Sequence, residues 1–350
     1  MSNVLVVGGA GYIGGWLTDR IRDEGHDVRV FDVLLYEDQY LKDVAFVHGN
    51  ILERDDVLPH LDWADAVVWL AAMVGDGACS LDPGLTRAIN VDSIRWLGDV
   101  YDGRIVFLST CSVYGAQDGL LTEESPLNPL SLYAETKAEA ERALESKDAI
   151  IFRLGTIYGV SDTYSRIRMD LVLNLLTVKA TLHGRISVFG GDQYRPLLHV
   201  RDVAEAIVPT LFSDHRGIFN LESENVTIRG LAERIAAFYP EVEIDYTDVP
   251  FQDLRNYRVS SERARTAFAF DPQLTVEDGI RQIADVVREG RVRDTSAPRY
   301  SNLDFLRPLL VPERSPLGRE IIVGHRFRTV RTGATSEPAG AAAAVAANGA

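Results

Sequence analysis

Cysteine is scarce in this chain: 350 residues carry two, Cys79 and Cys111. No CxxC pair and no Cys/His cluster occurs, which removes the pattern of a zinc site, and no metal is expected. Cys111 follows an apolar run and reads as a small buried residue rather than a nucleophile. Positive charge is also short. The 36 Lys and Arg face 51 Asp and Glu, a net charge of −15. Such a balance argues against nucleic acid or an anionic membrane as the main partner. It leaves room for an anionic small ligand, because a few Arg and Gly decide that locally. No apolar run approaches the roughly 18 residues needed to cross a bilayer. The chain opens directly into "NVLVVGGAG", without a basic stretch followed by an apolar one, so no signal peptide is expected. The expected home is the reducing cytoplasm. There is no internal repeat.

What is present is a rhythm of short β-branched runs and helical patterns. "NVLVVGG" at 3–9 reads as a strand and "YIGGWLTDRIRDEG" at 12–25 as a helix. Further strands are expected at 27–33, 44–50, 65–72, 104–112 and 149–159. Strand, helix, strand repeated this way means a parallel sheet with helices on both faces. After Gly159 the rhythm breaks. The spacing predicts one long helix over 163–184, extended segments at 186–191 and 194–200, and helices at 201–212, 227–240 and 275–290. This reads as a smaller mixed unit on the sheet edge. From about 330 the chain turns to "RTGATSEPAGAAAAVAANGA", whose low complexity predicts a disordered tail at 330–350.

"GGAGYIG" places Gly8, Gly11 and Gly14 after the first strand and at the start of the first helix. Gly8 and Gly11 let the backbone turn tightly and approach a pyrophosphate. Gly14 lets helix and strand pack closely, and the helix N-terminus offers free N–H groups. Tyr12 and Ile13 complete the loop. Asp32 ends the second strand about 20 residues on, where a carboxylate meets the adenosine ribose hydroxyls. A carboxylate there repels a 2′-phosphate, so the cofactor expected is NAD rather than NADP. Tyr133 and Lys137 fall in the Ala- and Glu-rich run "SLYAETKAEAER", one turn apart on one helix face. Alone, that pair is either a solvated charged face or a tyrosine whose proton a lysine manages.

These motifs together resemble the extended short-chain dehydrogenase/reductases, over residues 3 to about 290. "GNI" at 49–51 is similar to the family's segment beside adenine, with Asn50 in place of the usual Asp, followed by Ile51. "LAA", Leu70, Ala71 and Ala72, resembles the loop under the cofactor. "INV" resembles a segment in which Asn90 supports the active site. "STCSVYG" resembles the family's S-[ST]-x-x-V-Y-G. The resemblance implies an α/β fold: a Rossmann-like doubly wound parallel sheet at 1–158, to which 190–212 returns, and a smaller mixed α/β substrate-binding C-terminal domain at 159–310. It implies a catalytic set of Thr110, Tyr133 and Lys137. A free tyrosine, with a pKa of about 10, is a poor base near neutrality. A neighbouring ammonium favours its phenolate, and Lys137 is also expected to hold the nicotinamide ribose.

The later half resembles nucleotide-sugar enzymes of this family. "YRPLLHVRDVAEA" and "DLRNYRVSSERARTAF" imply Arg195 and Arg255 as contacts for a nucleotide diphosphate, suited by their planar donors. Asn174 is a candidate sugar or phosphate contact, or a polar residue inside a helix. His199 reads as structural. Cys111 and Ser112 stand where 4,6-dehydratases and decarboxylases carry an acidic residue, so oxidation, reduction or epimerisation at C4 is expected. Thr156 replaces an Asn of galactose-type epimerases. Residues 152–174 resemble a subgroup that includes GDP-heptose C4 dehydrogenases. The alternatives are a dehydratase with a non-standard acid and a non-catalytic, dinucleotide-binding scaffold. The family implies a homodimer through helices near 85–101 and 133–146.

Overall fold

The computed structural model describes residues 1–247 and 255–311. The tail expected at 330–350 lies outside the described residues. Seven parallel strands form the main sheet: β1 (Asn3–Val7), β2 (Asp27–Asp32), β3 (Ala45–His48), β4 (Ala66–Trp69), β5 (Arg104–Thr110), β6 (Ala149–Leu154) and β7 (Gly217–Leu221). Their order is β7-β6-β5-β4-β1-β2-β3. Strand residues alternate between the two faces, and both faces are covered. Val4 and Val6 pack with Leu17 and Ile21 on one side. Leu5 and Val7 pack with Ile94 and Leu97 on the other.

The chain winds outward from β1 to β3, then returns to place β4 on the opposite side of β1. That reversal opens a crevice at the carboxyl ends of β1, β2 and β4, the usual ligand position in an open α/β sheet. Helix α1 (Gly14–Asp23) starts at the crevice. Helix α2 (Leu132–Ala143) runs beside β5, its first turn capped by the Ser131 hydroxyl, which accepts from the Ala134 amide.

A smaller unit packs at the open end of the sheet. Thr156–Tyr158, Tyr194–His199 and Glu224–Thr227 form a three-stranded sheet with one parallel and one antiparallel pairing. Arg185–Phe189 pairs with Glu243–Thr247. Helices at Val172–His183, Ile228–Ala236 and Val276–Arg288 close a second core around Leu173, Leu176, Ile235 and Ile280. The main sheet draws its last strand, β7, from beyond the first 158 residues, and the helix Val200–Ile207 packs on α1.

The long helix expected over 163–184 is shorter than expected and begins at Val172. Asp162 folds the preceding chain back by accepting from the Tyr164 and Ser165 amides. Arg166 and Arg168 are then drawn into side-chain contacts that a helix there would break. A last helix, α3 (Asn302–Leu310), has no counterpart in the sequence reading. Among the described residues, no helix is long and apolar enough to cross a membrane, and no cluster of His, Cys, Asp and Glu could hold a metal ion.

Candidate active site

The crevice is a cleft of about 860 Å³ that runs from the glycine loop to the smaller unit. At one end are Gly8, Gly11, Tyr12 and Ile13, with Asp32, Asn50, Ile51, Leu70, Ala71 and Ala72 around them. Gly8 has a φ of +83°, and a Cβ there would stand 2.5 Å from the Ala71 backbone nitrogen. Position 8 therefore admits only glycine, and the loop backbone there forms the cleft surface. Gly14 does not line the cleft. A Cβ on it would meet Gly9 backbone at 2.1 Å, so it serves the close packing of α1 on the loop. Tyr12 donates its hydroxyl to the Gly159 carbonyl at 2.6 Å and ties the loop to the smaller unit.

Asp32 sits at the end of β2 with one oxygen accepting from the Ala10 amide at 3.0 Å and the other from Leu34 at 2.8 Å. Burial pushes its carboxyl above the usual range, against the pull of those amides. The glycine backbone, the start of α1 and a carboxylate at the second strand end fit a dinucleotide.

Thr110, Tyr133 and Lys137 converge on the middle of the cleft. Thr110 arrives at the end of β5, Tyr133 and Lys137 from consecutive turns of α2. The Thr110 hydroxyl donates to the Ser112 hydroxyl at 3.1 Å, and its polarity favours the charged form of the Tyr133 phenol. The face carrying Tyr133 and Lys137 is buried against β5 rather than solvated: Lys137 is 4% exposed. Its ammonium donates to the Leu108 carbonyl at 2.7 Å and lies 4.6 Å over the Phe107 ring. Burial pushes its pKa down to about 8. Burial also pushes the Tyr133 phenol above its usual value of 10. The expected cation for the tyrosine was Lys137. Here the positive charge acting on it most strongly is Arg168, a residue the sequence reading passed over.

Arg168 reaches the cleft from the 162–171 segment. Its Nε and Nη2 fork onto Asp170 at 2.9 and 3.0 Å. At the far end, Arg195 and Arg255 both line the cleft, and Arg195 donates to the Arg255 carbonyl. Arg255 also donates to the Ser112 hydroxyl at 3.2 Å and faces Asp76 at 3.6 Å. Thr156 and Ser112 line the wall between.

Two expected site residues lie behind the wall. Asn174, read as a sugar or phosphate contact, is fully buried. Its side chain accepts from the Gly159 amide at 3.0 Å and donates to the Arg168 carbonyl at 2.8 Å. Both ends are satisfied inside the protein, so it braces the wall. Asn90 lies in a π-type turn, Ala88–Asp92. It accepts from the Met73 amide at 2.8 Å and donates to the Met73 carbonyl at 2.9 Å, clamping the loop beyond β4. His199 is structural: it accepts from the Arg201 amide and pairs with Gln282 at 2.8 Å. Cys111 is buried, its thiol donating to the Arg153 carbonyl.

Asp76 was also missed. Its carboxylate accepts from Ser131, the residue that caps α2, at 2.6 Å, and it lines the cleft beside Tyr133. Only its position in the fold gives it away, since the local sequence "VGDGACS" carries no recognised motif.

A model of the NAD dependent epimerase/dehydratase family matches residues 4–221. The chain is 27% identical over 323 residues to the dTDP-glucose 4,6-dehydratase of Streptomyces niveus, covering 82% of this chain and 93% of that one. It is also 27% identical over 309 residues to the UDP-glucose 4-epimerase of Lactobacillus helveticus, covering 77% and 92%. The UDP-glucose 4-epimerase of Thermus thermophilus, solved as a complex with NAD, superposes with a TM-score of 0.70 at 25% identity over 82% of this chain and 99% of its own. With the glycine loop, Asp32 and the Thr-Tyr-Lys set in one cleft, the chain belongs to the NAD-dependent epimerase/dehydratase family, enzymes of the extended short-chain dehydrogenase/reductase type.

Proposed function

We propose that this enzyme oxidises a secondary alcohol, at C4, of a sugar carried on a nucleoside diphosphate. The observation that carries the reading is the convergence of Thr110, Tyr133 and Lys137 midway between the glycine loop and a pair of arginines, Arg195 and Arg255. When bound, NAD supplies a hydride acceptor at its nicotinamide ring. Gly8, Gly11, Ile13 and Asp32 are the residues that would hold its pyrophosphate and ribose, with Asn50, Ile51 and the 70–72 segment around the remainder. Tyr133 takes the proton of the sugar hydroxyl. Thr110 donates to the reacting oxygen and holds it in line. Lys137, whose ammonium keeps two further N–H bonds beside the one to Leu108, holds the nicotinamide ribose. Arg195 and Arg255 bind the diphosphate through planar donors.

The test is mass spectrometry of a panel of nucleotide-sugars after incubation with the protein and NAD. The similarity of residues 152–174 to heptose-acting enzymes puts heptoses and modified hexoses first. A product lighter by two hydrogens is expected of a dehydrogenase. An unchanged mass with altered mobility is expected of an epimerase. No change across a broad panel counts against the catalytic reading and leaves either a sugar outside the panel or a dinucleotide-binding scaffold.

A second reading, water elimination, is favoured by one observation: Asp76 supplies a carboxylate in the cleft although position 112 is a serine. If it holds, the product is lighter by one water and Asp76→Asn abolishes it while leaving NAD binding intact. If it fails, Asp76→Asn leaves turnover essentially unchanged.

We further propose a homodimer paired through the 85–101 and 133–146 segments, and a cytoplasmic setting. The unbridged, buried Cys79 and Cys111 support a reducing compartment.

A further inference from the structure

The C-terminal arm around α3 lies outside the residues of the family match and lines one side of the cleft. Its position follows from the strand order. β1 lies between β4 and β2, so the glycine loop at the end of β1 lies between the loops that follow those two strands. The arm fastens to both. On the β2 side, Phe305 meets the Tyr36 ring at 4.7 Å between centroids, and Arg299 pairs with Glu37. On the β4 side, Leu306 and Leu310 pack with Met73, Ala78 and Cys79. Leu303 covers Gly77, where a Cβ would stand 3.1 Å from its methyl group. Ser301, Asn302, Leu303 and Leu306 are themselves cleft wall.

Asn302 joins these attachments. It is 5% exposed, and its polar atoms are all engaged. Its Nδ2 donates to the Val74 carbonyl at 2.8 Å, beyond β4. Its Oδ1 accepts from Arg166 at 2.6 Å, and its amide donates to Asp170 at 2.9 Å. Arg166 in turn donates to the Arg299 carbonyl and lies 3.4 Å over the Tyr36 ring. Asp170 is the partner of Arg168. One side chain thus connects the arm, the loop beyond β4 and the segment that presents Arg168 to the cleft.

We infer that residues 298–310 form a strap over the dinucleotide, and that Asn302 is a positioning residue whose contacts set how fast the dinucleotide enters and leaves. A ligand on the glycine loop lies under a bridge fastened on both sides, so exchange requires the arm to lift. Lifting breaks the Asn302 bonds and exposes Leu306 and Leu310 together. The inference rests on reading the cleft as an NAD site.

The experiment loads the full-length protein with the fluorescent etheno analogue of NAD and chases it with excess NAD in a stopped-flow instrument. Asn302→Ala and Phe305→Ala are each expected to speed release by about tenfold or more, as loss of a buried hydrogen-bonded or packed contact does. Entry should quicken alongside, so that the dissociation constant moves less than either rate, which distinguishes a gate from a contact. A melting temperature that falls with unchanged release in both variants makes the arm merely structural and overturns the strap. Phe305→Ala keeps the test decisive if Asn302→Ala fails to fold. A wild-type protein that binds no NAD overturns the reading of the cleft, and the strap with it. A protein that binds NAD and exchanges it equally fast in all forms overturns the strap alone.

Discussion

Proton affinity is the central question at the scale of single residues. Tyr133 is half-buried at the cleft wall with its proton favoured, and Lys137 is buried with its charge disfavoured. Desolvation acts on both in the direction of neutrality. The pair is therefore no ready-made phenolate. Thr110 and Arg168 are the groups that favour the charged tyrosine here. In the proposed reaction, replacing the phenol by a ring without a hydroxyl removes the base and little else. Tyr133→Phe should lower kcat by about 10²–10⁴-fold while NAD binding, measured by titration, stays at the wild-type level. His199 makes a second residue-scale prediction. Its two bonds fix a neutral ring, with Nδ1 accepting from Arg201 and Nε2 donating to Gln282. Burial pushes its pKa from 6.5 to about 4. The unfolded chain thus binds a proton between these values that the folded one does not. Stability held above pH 6.5 is lost as pH falls towards 4, by up to roughly 3 kcal/mol from this group. Urea midpoints measured across that range should fall less steeply for His199→Gln, whose side chain does not titrate.

Among the elements, α2 and the strands beside it are held in register by a buried ion pair. Glu141 lies one turn beyond Lys137 on α2, and Arg153 on β6 forks onto it at 2.7 and 3.1 Å. Both side chains are 3% exposed, and Ser109, next to Thr110, donates to the same carboxylate. Removing Glu141 leaves a buried guanidinium unpaired. Glu141→Ala should cost about 3–5 kcal/mol, read from the urea midpoint, and should impair turnover by loosening Thr110 against Tyr133. This pair was invisible in the sequence because its partners are twelve residues apart on different elements. The helix beginning at Val172 teaches the same lesson in reverse. Nothing between 163 and 171 breaks a helix locally, since the run contains neither glycine nor proline. The Asp162 turn starts the break, and Arg166 and Asp170, bonded to Asn302 more than 130 residues away, hold the segment out of a helix.

For the whole molecule, the cleft joins the sheet, the smaller unit and the C-terminal arm, so a ligand there touches all three. NAD bound only to the folded chain should raise the melting temperature in proportion to the logarithm of its concentration. At a hundred times its dissociation constant the gain is about 2.7 kcal/mol. Calorimetry with NAD and NADP checks both this and the choice of cofactor, since Asp32 predicts a much smaller shift with NADP.

Much of this protein is written in local patterns. Apolar runs buried on both faces, with helices between them, suffice for the parallel sheet. The glycine loop and Asp32 are legible because backbone geometry ties each to a strand end or a helix start, whereas Thr110, Tyr133 and Lys137 stand out as a set through the family resemblance. Asn174, read either as a sugar contact or as a polar residue inside a helix, and Asn90, expected to support the site, are both turned inward by packing and brace the walls. Arg168, Asp76 and Asn302 matter only because distant segments meet. Their neighbours in sequence carry no periodicity or motif, and long-range hydrogen bonds, made by Asp76 and Asn302 themselves and by Asp170 for its partner Arg168, fix where they lie.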